Sequence, residues 1–141
     1  MHSPDDQLAR ELNANPEFAL FMLDLPIVVQ RAFIPLTGRV TAALMLSWAI
    51  QVTDEPGVAD AEGWFAKGND EWHADIGLSR DELQTARDCL EQLGLLEVKR
   101  EATEPGTSAF RRVNHYRVDL KRLSQLLLAH AEKLRQAKGM H

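Results

Sequence analysis

With 141 residues and a hydrophobic content of 45%, the chain can bury one good core and reads as a single domain with terminal extensions. Its one cysteine, Cys89, excludes an intrachain disulfide, and the absence of Cys/His ligand spacing around it argues against a structural zinc site. The net charge is −5, residues 1–17 are polar and acidic unlike a signal sequence, and the longest apolar run, 40–50, falls well short of the ~20 residues of a membrane span, so a reducing cytoplasm and no membrane partner are expected.

Residues 1–36 are expected to form an N-terminal helical extension packed on the core. Its apolar part, 18–36, carries Phe18, Leu20, Phe21, Leu23, Ile27, Val28, Val29, Phe33 and Ile34, while Pro26 and Pro35 should interrupt any long helix through it. Thr37 and Gly38 then lead into a helix whose apolar residues, from Val40 to Ile50, cover every side of the wheel. Such a helix must be covered all round. The next stretch, 52–63, is acidic, small and turn-rich and reads as an exposed connection to a short strand at 63–66, with Trp64 and Phe65 packed under whatever follows.

From 69 onward the pattern changes to a short helix, a turn, a longer helix and two strands. Gly77 can close the first helix in the left-handed conformation, and Ser79 with Glu82 three residues on forms a capping box, so the second helix should start at about Arg80. Leu83, Ala86, Leu90 and Leu93 make one apolar stripe, Cys89 lies at its margin and Gly94 ends it. Leu95, Leu96 and Val98, then Val113, Tyr116 and Val118, suit two strands joined by a polar loop with a turn at Pro105 and Gly106. The last element, 120–138, is a helix in which Leu120, Leu123, Leu127, His130, Leu134 and Ala137 recur at alternating three- and four-residue spacing, with Leu126 and Ala131 beside them. That seam either packs back on its own domain or joins a homodimer through 120–137.

Glu71-Trp72 before the turn, Gly77-Leu78-Ser79 within it, the Leu93-Gly94-Leu95-Leu96 junction and Asn114-His115-Tyr116-Arg117-Val118 in the last strand give the chain a family likeness. Over 69–118 it resembles the winged helix-turn-helix domains of bacterial transcription regulators and of phage and plasmid replication initiators. The resemblance implies a mainly α fold with a small β-hairpin (α+β), a winged-helix domain over 37–119 and a C-terminal helix over 120–141. It also implies double-stranded DNA as partner and a role in transcription regulation or replication, although such folds serve equally as protein-docking modules.

Charge distribution locates the candidate contacts. Residues 1–62 sum to −6, residues 63–101 to −4 and residues 102–141 to +5, so a phosphate-facing surface belongs near the hairpin and final helix, where Arg111, Arg112, Arg117, Lys121 and Arg122 cluster opposite Lys99 and Arg100. At 100° per residue the outward face of the second helix centres on Asp81, Gln84 and Asp88, flanked by Arg80, Thr85, Arg87, Glu91 and Gln92. Gln84 suits adenine, Arg80 or Arg87 guanine, and Thr85 a thymine methyl group or a phosphate. Asp81 and Asp88 suit the alternative partner, a basic protein. No catalytic, cofactor or metal motif is expected; the histidines are scattered, and Glu71 and Asp75 on one helix face are the nearest approach to a divalent-ion pair. Trp48, Trp64 and Trp72 read as core anchors.

Overall fold

A computed structural model describes residues 26–100 and 113–139, together with Arg10. The described residues form five helices and three strands: α1 (Phe33–Thr37), α2 (Val40–Asp54), β1 (Phe65–Lys67), α3 (Asn69–Ile76), α4 (Arg80–Gln92), β2 (Leu96–Lys99), β3 (Asn114–Val118) and α5 (Leu120–Ala137). The result is a mixed α+β arrangement in which a small antiparallel sheet, order β1-β3-β2, backs onto a helical layer. No helix among the described residues is long and apolar enough to cross a membrane.

α2 organises the helical layer. Ala42, Ala43, Met45, Leu46 and Ala49 are fully buried, and three alanines in eight residues let α4 and α1 approach its backbone closely. The chain enters along it: residues 26–30 run extended, the Gln30 amide donates to Ser47 Oγ (3.2 Å), and Gln51 Nε2 donates to the Val28 carbonyl (2.9 Å). Gly38, at φ 76°, ends α1 and turns the chain into α2, where Thr37 Oγ1 donates to the Phe33 carbonyl (2.7 Å). Cover is not complete all round, because Val40 at the first turn remains 63% exposed. Of the expected N-terminal extension, 1–9 and 11–25 lie outside the described residues; from 26 to 36 the chain packs on α2.

β3 is the central strand. Phe65 faces Tyr116 on one side, and Leu96, Val98 and Lys99 face Val118, Tyr116 and His115 on the other. Strand alternation puts Phe65, Lys67, Leu96, Val98, Tyr116 and Val118 on the helix-facing side. The first strand starts at Phe65 instead of 63, which separates the two aromatic neighbours: Phe65 is buried, whereas Trp64 is half-buried and lies with the outward residues. Phe65, Trp72 and Tyr116 form the aromatic centre, with ring centroids 5.3–6.2 Å apart. This cluster joins α3 to the sheet.

Local chemistry sets the turn between α3 and α4. Gly77, at φ 74°, closes α3 by donating to the His73 carbonyl (2.8 Å). At the start of α4 the Glu82 amide donates to Ser79 Oγ (3.2 Å) and the Ser79 amide donates to Glu82 Oε1 (3.0 Å). The Ser79 amide, and after it the Ser79 hydroxyl, hold the Glu82 carboxyl below its ordinary value. Ser79→Ala should therefore cost about 1 kcal/mol of stability, read as a lowered urea midpoint with unchanged slope. An unshifted midpoint would mean that the cap contributes nothing.

Candidate nucleic-acid interface

α4 is fixed from below and free above. Leu83, Ala86 and Leu90 are at most 1% exposed, so the helix is held against α2 by a continuous apolar stripe. Arg80, Asp81, Gln84, Thr85, Asp88 and Gln92 are exposed on the opposite side. Gln84 Nε2 donates to Asp88 Oδ1 (2.8 Å), and Thr85 Oγ1 donates to the Asp81 carbonyl (3.0 Å). The Arg80 guanidinium makes no hydrogen bond or ion pair among the described residues.

Arg87 departs from the expectation of a groove-facing arginine. It is 4% exposed, its NH2 donates to Asn69 Oδ1 (2.9 Å), its NH1 to Gln84 Oε1 (3.4 Å), and its guanidinium lies 5.7 Å from the Tyr116 ring centroid. The reason is angular. Arg87 sits about 40° round the helix from Leu83, close enough to the apolar stripe for its long stem to lie inward while the head finds polar partners. Arg87 is thus a strut between α4, the start of α3 and the sheet.

A cation absent from the sequence reading takes its place. Arg39, at the N-terminal end of α2, lines a shallow cleft of about 240 Å³ with Thr85, Asp88, Cys89 and Gln92 of α4. Its side chain makes no hydrogen bond or ion pair among the described residues. The packing of α1 on α4 puts it there: Cys89 Sγ donates to the Thr37 carbonyl (3.4 Å), fixing the α1–α2 corner beside the outer face. No signal within 39's own neighbourhood announces this, since Thr85 is remote in sequence.

At the far end of the sheet Arg100 pairs with Glu91 of α4 (3.1 Å) and so neutralises one carboxylate on that side. Lys99 Nζ and Arg117 Cζ lie 5.1 and 4.7 Å from the Trp64 ring centroid, and Arg117 also pairs with Glu97 across the sheet (2.5 Å). Arg122 Nε donates to the Leu93 carbonyl (3.2 Å), covering the end of α4. Arg80, Gln84 and Thr85 therefore share one face, which Arg100 reaches through Glu91, whereas Lys99 lies over Trp64 on the outward side of the sheet and is not brought to it. Arg111, Arg112 and the Pro105-Gly106 turn lie outside the described residues.

Of the two carboxylates expected at the centre of this face, Asp81 makes no side-chain hydrogen bond or ion pair among the described residues, while Asp88 and the neighbouring glutamates are hydrogen-bonded. Glu82 turns back onto Ser79, Asp88 accepts from Gln84, and Glu91 accepts from Arg100. Glu71 and Asp75, the pair considered for a divalent ion, are also in use. Glu71 Oε1 accepts from the Gly68 amide (3.1 Å), while Asp75 Oδ2 accepts from Lys67 Nζ (2.6 Å) and Trp48 Nε1 (3.0 Å). Among the described residues no group of three or more His, Cys, Asp or Glu is placed to hold a metal ion.

No family model, curated protein or solved structure matches the chain.

Proposed function

We infer that this chain is a winged helix-turn-helix protein that binds duplex DNA, with α4 presented to the major groove, acting in transcription regulation or replication within the cytoplasm. The order α2-β1-α3-α4-β2-β3 and the sheet order β1-β3-β2 support the fold assignment. The observation that carries the DNA reading is α4 itself: its apolar stripe is sealed while Arg80, Gln84 and Thr85 stand exposed together, flanked by Arg39. A rigidly held helix with a polar, hydrogen-bonding outer face suits base-edge contact, and flanking guanidinium groups suit phosphates.

Fluorescence anisotropy with a generic labelled duplex tests this directly. Binding at low salt that weakens steeply at moderate salt is expected, because neutralised phosphates release counterions. No binding at low salt would sink the reading.

One observation favours a second reading, a module that docks a basic protein. With Arg87 withdrawn into the interior, Asp81 and Asp88 stand at the centre of the exposed face. Asp81→Lys with Asp88→Lys separates the two. On the DNA reading the substitution should tighten nonspecific duplex binding by roughly tenfold at low salt. On the docking reading it abolishes capture of the basic partner and leaves duplex binding absent.

A further inference from the structure

We propose that Asp88 makes the α4 face selective for cytosine: its free carboxylate oxygen accepts from the N4 amino group of a C·G pair while Gln84 donates to O6 of the paired guanine. This rests on the DNA reading above and deepens it, because it names the base that the face selects.

A relay of hydrogen bonds fixes both side chains. It starts in the interior, where Arg87 is 4% exposed, its NH2 donates to Asn69 Oδ1 (2.9 Å) and its guanidinium lies over the Tyr116 ring. Arg87 NH1 donates to Gln84 Oε1 (3.4 Å), and Gln84 Nε2 donates to Asp88 Oδ1 (2.8 Å). The relay thus ends in the open, since Gln84 and Asp88 are exposed one turn apart on the outer face. Glutamine ordinarily reads adenine with its carbonyl oxygen and amide nitrogen together. Here both atoms already serve the relay. The groups left at its tip are Asp88 Oδ2 and the second Nε2–H of Gln84, neither of them hydrogen-bonded among the described residues.

That acceptor beside a donor decides the base. An ionised carboxylate only accepts, so it needs an exocyclic amino group and is repelled by guanine O6 and N7 and by thymine O4. Cytosine N4 and adenine N6 are the amino groups that the major groove offers. Adenine N6 lies between two acceptors, its own N7 and the O4 of its partner, which repel a carboxylate from either side. Cytosine N4 has an acceptor, guanine O6, on one side only, and that acceptor suits the Gln84 N–H. Asp81, seven residues earlier on the same stripe, makes no side-chain hydrogen bond or ion pair among the described residues, so nothing holds it for the same task. Arg87 is then a positioning residue. It touches no base and acts by orienting Gln84.

The test selects bound duplexes from a randomised library with the full chain at low salt, then measures affinities for single base-pair changes in the enriched sequence. The wild type should enrich a C·G pair at one position, and replacing that pair by A·T or T·A should weaken binding roughly tenfold or more. Asp88→Asn should lose the preference without weakening binding to unrelated duplexes, since it removes a negative charge from a surface that meets phosphates. Asp88 is exposed, so this variant should fold as the wild type does. Arg87→Met should narrow the preference more than it lowers overall affinity, which a purely structural arginine would not do, and Arg87→Lys should restore part of it. A preference untouched by Arg87→Met overturns the relay. An enriched sequence with no preferred cytosine, or a cytosine preference that survives Asp88→Asn unchanged, overturns the inference and leaves the DNA reading standing. If no duplex is retained at low salt, both fall.

Discussion

Trp72→Ala should lower the free energy of unfolding by about 3–5 kcal/mol, the usual cost of deleting a large buried aromatic side chain. Trp72 has no exposed surface, its ring lies edge-on to Tyr116 at 5.3 Å, Phe65 is 6.2 Å away, and Lys67 Nζ sits 5.6 Å from its centroid. Typical domains are stable by only about 5–15 kcal/mol, so this one truncation removes roughly a fifth or more of that reserve. Urea denaturation followed by far-ultraviolet circular dichroism reads the effect. Tyr116→Phe serves as the contrast. The Tyr116 hydroxyl and the Trp72 indole nitrogen are both buried without a hydrogen-bond partner among the described residues, so removing the hydroxyl alone should be neutral or slightly stabilising. A loss below about 1 kcal/mol for Trp72→Ala would mean that the aromatic cluster does not hold α3 to the sheet.

The second large effect is on binding. Arg39→Ala combined with Arg80→Ala should weaken duplex affinity at low salt by roughly tenfold or more and flatten the log-affinity against log-salt slope by up to about 2, as expected if each guanidinium neutralises one phosphate. Both side chains are exposed and neither makes a hydrogen bond or ion pair among the described residues, so the fold should be unaffected. Anisotropy titrations at three or four salt concentrations supply both the affinity and the slope. An unchanged slope would place these arginines away from the nucleic acid and return α4 to the docking reading.

Local chemistry was legible in the sequence, and tertiary placement was not. The Ser79–Glu82 box, the stop at Gly77 and the Leu83, Ala86, Leu90 stripe depend on residues within a few positions of each other, so spacing alone locates them. Arg87 was misread as outward because helical angle alone cannot show that Asn69 and Tyr116 wait beneath it. Arg39 was missed for the same reason, since its cleft exists only once α1 and α4 are packed. The strand boundary before Phe65 slipped because Trp64 and Phe65 are both strand-forming aromatics; Asp60 decides the matter, its Oδ1 accepting from the Glu62 and Trp64 amides (2.9 and 3.0 Å) to hold that corner as a turn. In α5 the leucine seam was visible, but the body's use of its Leu123 side and neglect of the Leu120 and Leu128 side required the packed helix.

The position of β3 has a consequence for biosynthesis. It is the middle strand of the sheet yet the last strand made, and Phe65 must wait for Tyr116 before it has a partner. At roughly 5–20 residues per second, the ~50 intervening residues take roughly 3–10 s to translate. During that interval Phe65 and Trp72 have left the ribosome's catalytic centre while the strand that covers them has yet to be polymerised. A nascent chain stalled before residue 114 therefore carries an unfinished aromatic core.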